Sequence, residues 1–406
     1  MNGTIDRREF LSASGGLAAS LLLARWAWAT SPQKDIKITR IVRFDLVGRR
    51  IKVAGRNSRL DVHGDTSTDQ MIRVYTDAGI EGLGQCRADE KALSTLLGAS
   101  PSDLFRPDER AMRVPEGVGT MAFWDLLAKA QSRPVYELLG AKGPRRVPAY
   151  DGSIYFADLL PQYAGHWQDR FREEIDMGLK RGHRAFKVKI GRGAKWMPAE
   201  EGFERDKAVI RTLREHAGPD VALGVDMNNG YDLVRTERLL SDLPDVDLAW
   251  IEEPFPEQVD QDLELKAFIK EHRLKTLLAD GETQDTLEPF RPFMEARAID
   301  VFQGDMNHFG VEGILKEAAM AGPFDLQVAP HNWGSLIGFY AMLHVGSAIT
   351  NFYWAENDPV ESDVLIADGY GIKDGLAAVP DSPGFGLKIN EERFAATVKP
   401  HFDIRL

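Results

Sequence analysis

Ala185-Phe-Lys-Val-Lys-Ile190, Val221-Ala-Leu-Gly-Val-Asp226, Leu248-Ala-Trp-Ile-Glu252 and Thr276-Leu-Leu-Ala-Asp280 follow one another at intervals of about 20–40 residues. Each is a short apolar run with polar residues at or near its C-terminal end, and each is followed by a stretch of helical period. Runs of this length, buried on both faces and separated by helices, are the mark of parallel strands in βα units. The pattern extends outward on both sides. Val147-Pro-Ala-Tyr-Asp151 precedes it; Ile299-Asp-Val-Phe-Gln303, Asp325-Leu-Gln-Val-Ala329 and Asn351-Phe-Tyr-Trp-Ala355 follow, with Leu336 to Ile349 helical between the last two. Eight such runs predict an α/β barrel.

The preceding segment has a different texture. Ile36 to Leu46 and Gln70 to Tyr75 alternate like half-buried strands, and Asp77-Ala-Gly79 predicts a turn into Ile80 to Gln85. Ala122 to Ala130 has helical period and stops before Pro134. Residues 48–65, rich in Gly, Arg and Asn, are expected to form a binding loop too long for a tight turn. After Glu356 the chain becomes rich in Gly and Pro, a tail expected to return to the N-terminal module. At the start, Asp6-Arg7-Arg8-Glu9-Phe10-Leu11, a weakly apolar run to Ala24 and Ala27-Trp28-Ala29 resemble a twin-arginine export signal with a cleavage site. The expected division is therefore 1–29 signal, 30–146 N-terminal α+β module, 147–358 barrel and 359–406 returning tail. Such a signal would send the mature chain to the bacterial periplasm.

The 406 residues are 43% apolar and 28% charged, which excludes collagenous or wholly disordered classes. With 62 acidic against 50 basic side chains, the net charge of -12 disfavours nucleic acid and anionic lipid as partners. Cys86 stands alone, so there is no internal disulfide and no cysteine-rich metal site. Neither a phosphate-cradling Gly-rich loop ending in Lys-Ser/Thr nor a Gly-x-Ser-x-Gly elbow occurs.

The C-terminal ends of barrel strands open on one face, so residues there converge regardless of sequence separation. They are Lys187, Lys189, Asp226, Glu252, Glu282, Asp305, His331 and Glu356. Carboxylates on three successive strands repel one another unless a cation sits between them, and hard oxygen donors suit Mg²⁺. Alternation along a strand puts Lys187 and Lys189 on one side and turns Glu253 away from Glu252.

Lys187-Val-Lys189, Gly224-Val-Asp-Met-Asn228, Trp250-Ile-Glu-Glu-Pro254, Gly281-Glu282, Asp305 and Pro330-His331 together resemble the enolase superfamily, in particular its mandelate racemase subgroup. Phe123-Trp-Asp-Leu126 with Pro134-Val-Tyr-Glu-Leu-Leu-Gly140 resembles the segment before the barrel in that family. The resemblance implies a modified TIM barrel, (β/α)₇β, capped by an α+β domain built from the N-terminal region and the C-terminal tail. It implies that Asp226, Glu252 and Glu282 hold Mg²⁺, which in turn binds the carboxylate of a sugar acid or 2-hydroxy acid. Lys189 becomes the base on one face, with Lys187 a nearby cation that depresses its pKa. His331 becomes the acid/base on the other face, its tautomer fixed by Asp305. Glu356, if protonated, would face a nascent enediolate oxygen. Asn228 and Tyr155 are expected substrate contacts. His308 is expected to line the pocket, and His63 to be either a contact or a surface residue. The implied chemistry starts with α-proton abstraction. Loss of water would make the protein a sugar-acid dehydratase, which the resemblance favours; reprotonation would make it a racemase or epimerase. A non-catalytic exported binding protein for hydroxy acids is the third alternative. A homo-oligomer without a membrane anchor is expected.

Overall fold

In the N-terminal part the sequence alternation becomes a meander. Strands β1 (Ile38–Ala54), β2 (Gly64–Thr76) and β3 (Glu81–Gln85) pair antiparallel in order. The structure, a computed structural model, describes residues 36–406, so the expected export signal lies outside the described residues. Helix α1 (Met121–Ala130) packs on this sheet through an apolar face. It approaches closely because Gly82 and Gly84 of β3 have no side chain; a Cβ at either would lie within about 2.2 Å of the Ala122 backbone. Asp125, buried mid-helix, accepts the backbone N–H groups of Leu83 and Phe385 and is ion-paired with Lys129.

Eight parallel strands then follow, one at each of the first seven apolar runs and the eighth starting only at Ala355, the last residue of its run. They are β4 (Arg146–Ile154), β5 (Ala185–Lys189), β6 (Ala222–Asp226), β7 (Trp250–Glu252), β8 (Leu277–Asp280), β9 (Val301–Phe302), β10 (Gln327–Val328) and β11 (Ala355–Asn357). Neighbours in sequence are neighbours in the sheet, and β11 returns to pair with β4. A bridge between Val328 and Phe352 closes the ring between β10 and β11. Helices follow the first seven strands: α2 (Trp167–Lys180), α3 (Ala199–Ala217), α4 (Leu233–Asp242), α5 (Val259–Glu271), α6 (Phe290–Ala296), α7 (Met306–Ala321) and α8 (Leu336–Gly346). This is a (β/α)₇β barrel. Phe186, Val188, Leu223, Val225, Ile251 and Leu278 alternate outward from the strands into the layer beneath the helices.

The tail does return to the N-terminal sheet. Phe402–Arg405 pairs antiparallel with β1 at Arg40–Arg43, and Val360–Glu361 pairs with its far end at Arg49–Arg50. The expected loop over residues 48–65 is shorter than its composition suggested. Residues 48–54 continue β1, and the connection spans only 55–63. Charged residues tolerate this strand because they are paired: Arg50 with Asp358 at 2.9 Å and Lys52 with Glu174 at 2.6 Å, all four side chains nearly fully buried. Among the described residues no helix is long and apolar enough to cross a membrane.

Candidate active site

Asp226 and Glu252 end adjacent strands β6 and β7 and pair in register, which places both carboxylates at the barrel mouth. Glu282 stands two residues beyond β8, reached through Gly281, whose φ of 132° is readily adopted only by glycine. One oxygen from each of the three lies within 4.8 Å of the others, with Asp226 and Glu252 buried and Glu282 half-buried. Three converging carboxylates in so small a volume are a donor set for a hard divalent cation. None of them lacks support. Glu252 Oε2 accepts from Trp250 Nε1 at 3.1 Å and Gln303 Nε2 at 2.8 Å, two residues that sequence reasoning did not assign to the site. A Trp two positions before a strand-end Glu shares its face, which was the available signal for the first.

Two lysines project from β5 into the same space. Lys187 Nζ lies 2.6 Å from Glu252, 2.8 Å from Glu356 and 3.5 Å from Asp226, with no exposed surface. Lys189 is ion-paired with Asp226. The expectation of a depressed Lys189 pKa is corrected. Burial and the Lys187 charge push it down, but Asp226, Tyr155 and Glu282 together outweigh them and the ammonium is held well above its usual range. The carboxylates respond in kind. Burial drives Glu252 up to about 8, while the two lysines overcome burial at Asp226 and hold it ionised.

On the opposite side of the cluster, His331 Nδ1 lies 2.5 Å from Asp305 Oδ2, and His331 Nε2 lies 3.2 Å from Glu282. The carboxylates Glu282, Glu356 and Asp305 outweigh burial and raise the imidazole to about 10, so it carries a proton. Asp305 is held in turn as the N-cap of α7, accepting the His308 backbone N–H at 2.8 Å. His308 borders a cavity of about 770 Å³ that Asp305 and His331 also line, and its Nε2 is 2.7 Å from the Asp285 carbonyl.

Glu356 is a second correction. A neutral carboxyl was required for its expected role. Instead Lys187 and His331 overcome the burial penalty and hold it below its usual range, and its Oε2 accepts the Asn332 N–H at 2.8 Å. It anchors Lys187 and the loop after His331. Asn228 also supports the carboxylates. Its Nδ2 bridges Glu253 Oε2 at 3.1 Å and Glu282 Oε1 at 3.3 Å, so it positions a member of the trio. Glu253 is outside the trio, but not because a strand turns it away. It lies past the end of β7 with φ 42°, a left-handed turn that breaks the alternation.

Tyr155, just beyond β4, is buried, with Lys189 Nζ 5.5 Å from its ring centre. It packs against Trp333 at 4.7 Å and against His63 at 4.9 Å, so His63 is part of an aromatic wall beside Lys189. Burial, then Lys189 and Arg50, hold the His63 imidazole down to about 4, which keeps it neutral. The 55–63 connection is seated on the barrel. Ser58 Oγ donates to the Asn228 carbonyl at 3.0 Å, Trp196 Nε1 to Asn57 O at 2.6 Å and Lys195 Nζ to Arg59 O at 2.8 Å.

Comparison with known proteins agrees with this architecture. Residues 170–393 match the family model described as Enolase C-terminal domain-like. The chain is 33% identical over 314 residues to arabinonate dehydratase of Saccharolobus solfataricus, covering 76% of this chain and 79% of that one. It superposes on a Mg-complexed mutant galacturonate dehydratase of Geobacillus sp. with TM-score 0.83 and 31% identity, over 93% of this chain and 99% of that chain. A mandelate racemase/muconate lactonizing protein of Geobacillus sp. Y412MC10, complexed with magnesium and tartrate, gives 0.82 and 31%, over 91% and 98%.

Proposed function

Because the chain belongs to the enolase superfamily, in its mandelate racemase/muconate lactonizing enzyme group, we propose that it is a magnesium-dependent dehydratase of sugar acids. One observation carries the reading: the carboxylate trio is flanked at one end by Lys189 and at the other by the His331–Asp305 pair. A C–H bond beside a carboxylate is weakly acidic, and its cleavage leaves two negative charges on the former carboxylate. Asp226, Glu252 and Glu282 would hold the metal, which supplies a fixed positive charge where that negative charge develops. Lys189 would take the α-proton as its neutral amine, Asp226 being among the carboxylates that would hold the cation. Lys187, locked between Glu252 and Glu356, keeps positive charge beside the developing anion. His331, protonated and oriented by Asp305, delivers a proton from Nε2 to the departing β-hydroxyl. Tyr155, Trp333 and His63 wall off the Lys189 side from water. The named dehydratases among the relatives support this outcome.

The test is mass spectrometry of a sugar-acid library incubated with the protein and Mg²⁺ in D₂O. Loss of water is expected, with formation of a 2-keto-3-deoxy acid that carries one deuterium taken from solvent at C3. Deuterium at the α-carbon without water loss would make the protein a racemase or epimerase, and tight binding with neither would make it a receptor. The residue roles separate in variants. His331→Asn should retain α-exchange and lose dehydration, and Lys189→Ala should lose both; the converse pattern would exchange the two roles. Export to the periplasm, inferred from Arg7-Arg8 and the following apolar run, belongs to the same proposal and is checked by cell fractionation.

A further inference from the structure

Helix α8 begins directly after the loop that carries His331, and a carboxylate of the N-terminal sheet meets its leading N–H groups. The first N–H groups of a helix have no partner within it and need an outside acceptor. Ser335 supplies one, its Oγ accepting the Gly338 N–H at 2.8 Å. Asp69, on β2, supplies the next, with Oδ2 accepting the N–H groups of Leu336 at 3.0 Å and Ile337 at 3.2 Å. Its Oδ1 accepts from Ser335 Oγ at 2.6 Å and from Gln85 Nε2 at 2.9 Å.

Gln85, at the end of β3, extends this contact to the other half of the acid/base pair. Its Nε2 also lies 2.8 Å from Asn307 Oδ1 and 2.9 Å from Ser335 Oγ. An amide nitrogen carries two hydrogens, which are shared here among acceptors from three segments. Asn307 is two residues beyond Asp305, and Ser335 is four beyond His331. A single side chain of the N-terminal sheet therefore spans both segments that carry the pair.

The segment after Asp305 needs such a tether. Gly310, with φ 62° and ψ −169°, interrupts α7 and separates residues 306–309 from the helix body. That body is held to the N-terminal module at Glu312, which accepts Trp124 Nε1 at 2.7 Å and the Met112 N–H at 3.2 Å. The break keeps this anchor from fixing the first turn, and Asn307 provides a separate one. Lys189 is held differently, from within the barrel. Asp206 on α3 accepts the Gly191 N–H at 2.8 Å. Arg192, three residues past Lys189 and fully buried, pairs with Asp158 at 2.7 Å and Asp206 at 2.6 Å.

We propose that Gln85, seated on Asp69, is a positioning residue for the His331–Asp305 pair, so that the N-terminal sheet serves the acid step and the barrel alone serves the base step. The proposal rests on the assignment of His331 to the departing hydroxyl and of Lys189 to the α-proton. Gln85 acts through the backbone it holds, since the contact of His331 Nδ1 with Asp305 moves with the segments around Asn307 and Ser335.

The test is Gln85→Met, which keeps the length of the side chain and removes both N–H donors. Each protein is incubated with Mg²⁺ in D₂O and a sugar acid that the unmodified protein dehydrates. Water loss is expected to fall by about a hundredfold, the size of loss that a misplacement of about 1 Å brings. Deuterium should enter the α-carbon of the recovered acid at an undiminished rate. Asn307→Ala removes only the acceptor beside Asp305 and should repeat the pattern more weakly. The double variant should lose no more than Gln85→Met, because both changes cut one link. A second readout needs neither substrate nor metal: the proton between His331 Nδ1 and Asp305 gives a downfield NMR resonance, which should shift in Gln85→Met while the melting temperature holds. Exchange and water loss falling together, water loss unchanged, or an unmoved resonance would overturn the proposal. If Gln85→Met does not fold, Asn307→Ala decides by the same criteria. If the unmodified protein dehydrates no acid, the dehydratase reading fails by itself and the resonance decides the role of Gln85.

Discussion

His331 and Asp305 are joined twice: Nδ1 lies 2.5 Å from Oδ2, and the backbones of the two residues form a parallel bridge that also carries the Met306 N–H to the His331 carbonyl. The position of the ring is therefore set by backbone, and the carboxylate adds charge and tautomer. Asp305→Asn keeps an N-cap for α7 and keeps the bridge while removing that charge. The expected result is a loss of kcat on the order of 10²–10⁴ with little change in KM, since general acid–base catalysis contributes about that factor. Steady-state kinetics beside a melting curve check it; a parallel loss of Tm would make Asp305 structural.

Gly224 and Trp250 make a separate prediction. They sit opposite each other on β6 and β7, and a Cβ on Gly224 would lie 2.1 Å from the indole ring. The ring belongs there because its Nε1 supports Glu252. Gly224→Ala should cost about 1–3 kcal/mol by overpacking and should also weaken Mg²⁺ binding as Trp250 shifts. Trp250→Phe keeps most of the packing and removes only the donor, so it should weaken Mg²⁺ with a smaller loss of stability. Denaturant titrations and Mg²⁺ titrations of both variants test this. Equal Mg²⁺ affinity in all three proteins would separate Trp250 from the site.

Much of this site was legible because barrel geometry converts a linear rule into a spatial one: read the residue at each strand end. Asp226, Glu252, Glu282, Lys187, Lys189, Asp305 and His331 all emerge that way. What failed had two causes: a charge environment supplied from distant segments, and a strand that ends before its alternation reaches Glu253. Arg50 and Lys52 looked like loop residues because their partners, Asp358 and Glu174, are more than a hundred positions away. Glu356 looked neutral because Lys187, which ionises it, is more than a hundred positions away in sequence and meets it only because the last strand closes the ring beside β4. Glu253 was placed by strand alternation, which ends where the strand ends, one residue earlier. The reach of β3 to the His331 side left no local pattern, because Gln85 meets Asn307 and Ser335 only in the folded chain.

Removal of the metal should stop turnover without unfolding the protein. The lysines already neutralise the trio from within: Lys187 contacts Glu252 and Asp226, and Lys189 contacts Asp226. Exhaustive chelation should therefore leave the far-ultraviolet circular dichroism spectrum unchanged. Restoring Mg²⁺ at a hundred times its dissociation constant should stabilise by about 2.7 kcal/mol, as for any ligand confined to the native state. Glu282→Gln, which removes the most exposed member of the trio, should shift that midpoint to higher Mg²⁺. Thermal melts against Mg²⁺ concentration provide the measurement. A Tm indifferent to Mg²⁺, or turnover that persists after chelation, would contradict the assignment of the trio.

Glu317 gives the pH dependence of stability a traceable source. It lies on α7 with no exposed surface, and its Oε1 accepts the Gly304 N–H at 3.0 Å, one residue before Asp305. Burial, only partly offset by that hydrogen bond, raises its carboxyl from 4.5 to about 7. The folded chain thus holds a proton that the unfolded chain releases between pH 4.5 and 7. More protons bound in the native state means that stability falls as pH rises through this window. The shift corresponds to about 3 kcal/mol, fully expressed above pH 7. Glu317→Gln removes the titration while keeping the shape and an acceptor for Gly304. Urea unfolding of both proteins at pH 5 and pH 8 isolates the effect from every other titrating group: Glu317→Gln should lose less stability than the Glu317 protein on going to pH 8. Equal losses would show that Glu317 titrates alike in the folded and unfolded chains.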